Sequence, residues 1–338
     1  MIDRIVTILG AGGWGIAIAN LLSQKGISIK LWEFDPQAAE KLKTTRTLPN
    51  KLPGIYLDDK IVLTSNLAEA IDKSTVICFI VPSQTLRSTA EKIAAIGLRH
   101  QPILVNFAKG IEVGSLKRMS EILDDVIPST SRSGIATLSG PSHAEEVARG
   151  IPTAVVAASR DMEIAREVQN LLLVPRFRVY TSTDILGVEL AGSLKNIIAL
   201  AAGMLDGLGM GDNTRGALLT RGLAEIVRMG KKLGADPLTF SGLSGVGDLI
   251  TTCLSRHSRN RFVGEQIGKG RKLQDVLTHM SMVAEGVQTT KSGYDLASRL
   301  SVEMPITNQV HSVLFGDRSP ADAISNLMGR DPKPEDWS

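Results

Sequence analysis

The stretch IVTILGAGGWGIAIANLLSQK, residues 5–25, decides how this chain of 338 residues begins to fold. Ile5 to Leu9 is a short apolar run of strand type, and an amphipathic helical pattern runs from about Gly13 to Lys25. Between them Gly10, Gly12 and Gly15 fit G-x-G-x-x-G. That string carries weight where a strand precedes it and a helix follows, as here. Gly10 then makes the tight turn, Gly12 lets a pyrophosphate approach the backbone, and Gly15 lets helix and strand pack closely. The helix start turns free amides toward the phosphates. The alternative is an ordinary glycine-rich turn.

A second strand, Ser28 to Glu33, should lie beside the first, ending in Glu33, Phe34 and Asp35. These acids fall about 20 residues beyond the glycines, where a carboxylate would bond the ribose hydroxyls of NAD. Either could instead be a solvated loop residue. No arginine stands beside them to receive a 2′-phosphate, which favours NAD(H) over NADP(H), unless Lys30, Lys41 or Arg46 folds across. Strand patterns recur at Lys60–Leu63, Thr75–Val81, in PILVNFAKG ending at Lys109 and Gly110, and at Ile135–Leu138, TAVVAAS and FRVYTS. Helical patterns separate them at 84–96, 115–127 and 162–173. Ser142 with Glu145 three residues later fits a capping box. This alternation predicts an α/β domain with a mostly parallel sheet and helices on both faces, its ligands beyond the carboxyl ends of the strands. Lys109, at such an end, is a candidate by position, although a lone lysine is ordinarily a surface cation.

After Thr183 the strand pattern stops. Helices are expected at about 185–205, 214–233, 236–240, 259–268, 273–277, 288–300, 305–315 and 320–328. The domains are therefore 1–183, nucleotide-binding; 184–330, all-helical; and a polar, proline-rich tail, 331–338. The first long helix, GVELAGSLKNIIALAAG at 187–203, sets Lys195 among small residues. Gly192, Asn196, Ala199 and Gly203 share a face that another backbone could approach. A desolvated lysine has a lowered pKa and can serve as acid or base, whereas a snorkelling lysine only covers apolar surface. Two polar constellations follow: Gly242, Gly245 and Gly247 leading into Asp248, and Ser258, Arg259 and Asn260 at a helix start, a setting that suits a phosphate or a simple helix cap.

Composition narrows the classes. Hydrophobic residues make up 43% and aromatics only 4%, so the core is aliphatic. A net charge of +3 without a basic block argues against a nucleic-acid surface. Cys78 and Cys253, far apart and with no histidine cluster, suit a reducing cytoplasm and offer no metal site. The start MIDRIVTILG does not read as an export signal, and no uninterrupted apolar run suggests a membrane span.

Taken together, GAGGWG at 10–15, VPS at 81–83, KGIE at 109–112, SGPSHAEEVARGIPTA at 139–154, the run 188–225, SGVGDLITTCLSRHSRNR at 244–261 and VAEGVQTT at 283–290 resemble the NAD(P)-dependent glycerol-3-phosphate dehydrogenases of bacterial type. The resemblance spans nearly the whole chain. It implies a Rossmann-type domain followed by a helical domain like the C-terminal part of 6-phosphogluconate dehydrogenase, and small-molecule partners: dihydroxyacetone phosphate and sn-glycerol 3-phosphate. It implies Lys195 as the general acid/base, with Lys109, Gly140, Ser142, Asn196, Asp248, Thr252, Ser258, Arg259 and Asn260 at the substrate. It implies Gly10, Gly12, Gly13, Trp14, Gly15, Phe34, Lys109, Ala144, Arg259, Val283 and Glu285 at the cofactor. It also suggests a homodimer, a cytoplasmic location and a role in glycerophospholipid synthesis.

Bacterial relatives often carry arginine or histidine where this chain has Phe34, so the expected preference is NADH, with NADPH accepted less well. The site is expected between the domains, with the small-residue face of the 187–203 helix approaching the nucleotide domain. Competing readings are another dehydrogenase of the β-hydroxyacid or 6-phosphogluconate type, and a non-catalytic nucleotide sensor. In the sensor, Lys109, Lys195 and Asp248 would need no common pocket.

Overall fold

The structure, a computed structural model, describes residues 4–280, 282–332 and 334–335. Of the expected tail, positions 333 and 336–338 lie outside the described residues. The chain divides into two compact units, 1–108 with 119–185, and 109–118 with 186–338.

The strands are β1 (Ile5–Leu9), β2 (Ser28–Trp32), β3 (Thr47–Leu48), β4 (Leu52–Tyr56), β5 (Val62–Thr64), β6 (Val76–Phe79), β7 (Ile103–Asn106), β8 (Gly134–Ser139), β9 (Thr153–Ala158) and β10 (Phe177–Ser182). Eight of them form one sheet in the order β10-β9-β8-β7-β6-β1-β2-β5, parallel except between β8 and β9. The run β5-β2-β1-β6-β7-β8 is the Rossmann order. Its strands are apolar along their length because both faces are covered. Val6, Ile8, Val76, Cys78, Ile103 and Val105 join the core packed under the Gly13–Ser23 and Met162–Leu172 helices. Leu9, Ile77, Phe79 and Leu104 join the opposite core, under the Leu86–Ile96 and Met119–Val126 helices. The strand's two-residue period sorts the side chains to the two faces. The hairpin β3–β4 was absent from the sequence reading; its Pro53 and Gly54 disguised it as a loop.

Two expectations in this unit are corrected. The PILVNFAKG strand, β7, stops at Asn106 rather than running to Lys109 and Gly110. The following helix spans only Met119–Val126, because Ile111 and Arg118 form an isolated antiparallel bridge. Residues 109–118 consequently belong to the helical unit, so the first unit is not the contiguous 1–183.

The helical unit is built on Ile185–Gly207, in which every residue from Gly187 to Leu205 is buried. It is the one described helix long and apolar enough to cross a membrane, and 94% of its apolar window lies inside the protein. An all-round apolar helix of this kind is a core helix. At Gly203 the small-residue face meets a backbone of its own unit. A Cβ on Gly203 would lie 1.9 Å from the Arg261 carbonyl oxygen, and one on Gly264 would lie 2.0 Å from that of Leu200. The expected close backbone approach at Gly203 is therefore made by the Arg259–Gly268 helix. Between Asp236 and Leu254 the structure adds a π-helical turn, Leu243–Gly247, and a helix, Asp248–Leu254, that the glycine-rich sequence hid.

Gly264→Ala should force these two helices apart and destabilise the protein by about 1–3 kcal/mol, despite alanine's better helix propensity. Urea unfolding monitored by circular dichroism measures this; wild-type stability would mean that the backbones are not in contact.

Candidate active site

Three distant segments of the helical unit meet at one carboxylate. Lys195 comes from the middle of the buried helix, Asp248 and Thr252 from the first turns of Asp248–Leu254, and Lys109 from the 109–118 segment. Lys195 Nζ donates to Asp248 Oδ1 at 2.9 Å and to Thr252 Oγ1. Thr252 Oγ1 in turn donates to Asp248 Oδ1 at 3.1 Å. Lys109 Nζ donates to Asp248 Oδ2 at 2.7 Å. Lys195 is only 6% exposed and Asp248 2%.

The electrostatics follow from that burial. Desolvation pushes the Lys195 ammonium down to about 8, helped by the Lys109 charge and opposed by Asp248. Burial alone would raise the Asp248 carboxyl, but the two ammoniums outweigh it and hold it below its ordinary value. Cys253, which the sequence reading left unassigned, is buried beside this group; burial pushes its thiol up to about 12, so it stays protonated. A non-catalytic sensor would not need this convergence of two lysines and an aspartate.

A buried amide relay adjoins the cluster. Asn260 Oδ1 accepts from the Gly286 amide at 2.9 Å, and Asn260 Nδ2 donates to Asn196 Oδ1 at 2.9 Å. Asn196 Nδ2 donates to the Lys109 carbonyl at 3.3 Å. Ser258 is the N-cap of Arg259–Gly268, its hydroxyl accepting from the Arg261 amide. Arg259 is exposed and donates through Nη1 to the carbonyl of Val283, just before Glu285 opens the Glu285–Leu300 helix.

In the first unit, Gly10 ends β1 with φ +109°, a conformation that disfavours any side chain. A Cβ on Gly15 would lie 1.9 Å from the Gly10 carbonyl oxygen, whereas one on Gly12 would meet nothing within 4 Å. The turn is thus closed where helix meets strand and open at Gly12, as a pyrophosphate requires. Gly13, Trp14 and Gly15 form the first helical turn, whose amides lack partners within the helix, and Trp14 packs edge-on to Phe107. These residues fit a dinucleotide. Among the described residues no group of three histidine, cysteine or acidic side chains could hold a metal ion.

Phe34 is 75% exposed beyond β2. Asp35 caps the Pro36–Thr45 helix by accepting from the Gln37 amide, while Glu33 Oε1 accepts from the Asp35 amide. Lys30 Nζ is engaged by the Glu69 and Asp72 carbonyls, and Arg46 Nη1 by the Ile61 carbonyl.

The Ser142 capping box is not formed. His143 occupies the N-cap of Ala144–Ala148 without a side-chain cap, and Ser142 Oγ donates to the Gly140 carbonyl at 3.0 Å. The helix starts one residue later than the S-x-x-E spacing requires, so the hydroxyl is not at the capping position. Gly140 itself has φ +136°.

Comparison with known proteins places this geometry. A family described as NAD-dependent glycerol-3-phosphate dehydrogenase matches over both parts, its N-terminus at residues 5–165 and its C-terminus at 184–325. A glycerol-3-phosphate dehydrogenase [NAD(P)+] of Prosthecochloris aestuarii is 52% identical, with 98% of this chain and 99% of that one covered. One from Geobacter metallireducens is 48% identical, with 98% of each chain covered. The crystal structure of glycerol-3-phosphate dehydrogenase from Coxiella burnetii is similar at a TM-score of 0.92 and 34% identity, covering 97% of this chain and 99% of that one.

Asp248→Asn would leave two cations facing each other in a buried site. It should cost about 3–5 kcal/mol at neutral pH, as expected when one member of a buried pair is removed. The loss should shrink as pH rises toward the value near 8 at which Lys195 ordinarily sheds its proton, because without Asp248 the ammonium sheds it earlier. In the wild type the lowered Asp248 carboxyl stabilises the fold at neutral pH, and that contribution disappears as acid protonates it. Urea titrations at several pH values measure both effects; an equal loss at every pH would refute the charge argument.

Proposed function

The chain belongs to the NAD-dependent glycerol-3-phosphate dehydrogenase family, and from that premise we propose that it reduces dihydroxyacetone phosphate reversibly at C2 to sn-glycerol 3-phosphate, with NADH preferred and NADPH used less well. The observation that carries this reading is the buried Lys109–Asp248–Lys195 cluster. Bound at the glycine turn, NAD(H) supplies or accepts the hydride. As the ketone is reduced, negative charge develops on its oxygen; the Lys195 ammonium stabilises that charge and gives up a proton. In the oxidising direction the neutral amine takes it back. Asp248 holds Nζ in place, and Lys109 adds positive field. Arg259, with Ser258 and Asn260, binds the phosphate, so that the non-reacting end of the substrate aligns C2. Asn260, whose amide bonds Asn196 and Gly286, also orients Asn196.

The NADH preference is supported by the commitment of Lys30 and Arg46 to backbone carbonyls, away from a 2′-phosphate role, and by Phe34 where a cation would otherwise stand. Gly140, Ser142 and Ala144 are assigned to ligand contact by family likeness. The same likeness supports assembly as a homodimer, a cytoplasmic location and supply of sn-glycerol 3-phosphate to glycerophospholipid synthesis.

NADH oxidation with dihydroxyacetone phosphate tests the reading, and no turnover with that ketone would overturn it. Lys195→Ala should lower kcat by about 10²–10⁴-fold with NADH binding retained. Ketone reduction should decline as pH rises through about 8, and glycerol phosphate oxidation should rise over the same interval, because one needs the ammonium and the other the amine. Steady-state kinetics should favour NADH over NADPH, and Phe34→Arg should shift that ratio toward NADPH; an unchanged ratio would remove Phe34 as the discriminator.

A further inference from the structure

The segment 109–118 leaves the sheet unit to pack in the helical one, and it carries Lys109 at one end and Arg118 at the other. Its two arms pair through the Ile111–Arg118 bridge and the Glu112 amide to Lys117 carbonyl bond of 3.0 Å. Ile111 is fully buried in the helical core, and its carbonyl accepts from Ser292 Oγ at 3.0 Å. Arg118 Nη1 meets Glu189 Oε2 at 2.6 Å, with both side chains more than nine-tenths buried. Glu189 and Asn196 stand seven residues apart on the Ile185–Gly207 helix, about two turns, and therefore on one face. The segment is thus fastened to that face twice: Arg118 at Glu189, and the Lys109 carbonyl at Asn196.

We propose that Arg118 and Glu189 are positioning residues for Lys109: their buried ion pair sets the 109–118 segment on the helix that bears Lys195, and so holds the Lys109 ammonium against Asp248. A buried ion pair adds little stability over apolar residues of similar volume, and its directional contact fixes a register. The bidentate-capable guanidinium suits that use better than an ammonium would. The consequence reaches Lys195 through charge. The ionisable groups acting on Lys195 are Asp248, Lys109 and Cys253, and of these only Lys109 is placed by the segment. Displacing Lys109 removes a like charge from beside Lys195, so Lys195 gives up its proton at higher pH.

The inference rests on the roles proposed above for Lys195 and Lys109, and its test includes a readout that needs no turnover. In Arg118→Met/Glu189→Leu both charges are removed together, so neither is left buried without the other. With dihydroxyacetone phosphate and NADH, the pH midpoint of kcat/KM should rise by about half a unit, with KM increasing more than kcat falls. In a Lys109→Met background the same pair of substitutions should move the midpoint no further. Acylation of Lys109 by a lysine-directed reagent, followed by mass spectrometry, should be severalfold faster in the double variant than in the wild type. Ser292→Ala, a milder loosening of the segment at Ile111, should shift midpoint and labelling in the same directions by less. An unchanged midpoint and labelling rate in a variant that melts like the wild type would overturn the proposal, as would a midpoint shift that persists in the Lys109→Met background. Faster labelling with no ketone turnover in the wild type would instead retain the positioning role and reject the proposed reaction.

Discussion

A single carboxylate shared by two ammoniums governs the helical unit. Asp248 gives one oxygen to Lys195 and the other to Lys109, inside a region from which water is nearly excluded. Burying one such pair is costly, and the cost is offset only when each charge finds close partners. Here two positive charges face one negative charge, so the cluster carries a surplus of positive charge when all three groups are ionised. That surplus is suited to an incoming phosphate ester and to an oxyanion that forms only during reaction. The same burial that makes Asp248 necessary brings Lys195 to about 8, within reach of proton exchange at physiological pH.

The cluster demands that its three supports be held rigidly. The helix bearing Lys195 cannot slide past its neighbour, because at Gly203 and Gly264 the two backbones touch with no side chain between them. Asp248 sits at the start of its own helix, directly after the π-helical turn Leu243–Gly247. Lys109 is fixed through its carbonyl by Asn196, one residue beyond Lys195 on the same helix, and Asn196 is fixed in turn by Asn260. Glycine contacts and amide hydrogen bonds thus work beside the Arg118–Glu189 ion pair in positioning the cluster.

The nucleotide unit was legible for a different reason. Its strands and glycine turn depend on local rules: the two-residue period that sorts Ile8 and Leu9 to opposite faces, and the turn that excludes a Cβ at Gly10 and Gly15. The misreadings fell where a local pattern was outweighed by tertiary packing. Ser142 and Glu145 had capping-box spacing, but the chain began its helix one residue later. Residues 115–118 read as helix, yet Arg118 pairs with Ile111 and turns to Glu189. The hairpin at β3–β4 carries a proline and a glycine, which are loop signals in one dimension.

The sequence by itself determined the strand–helix alternation of the first half, the dinucleotide turn, the change to an all-helical second half and the identity of Lys195, Asp248 and Lys109 as candidates. Each depends on residue type and short spacing, properties that a linear chain displays. Only the tertiary structure decided that those three side chains meet, that 109–118 packs with the helical unit, and that the small-residue face at Gly203 receives the Arg259–Gly268 helix. It also decided that Lys30 and Arg46 are bound to backbone carbonyls. These facts join residues 15 to 139 positions apart, and hydrogen-bond geometry and desolvation at such separations exist only once the chain has closed upon itself.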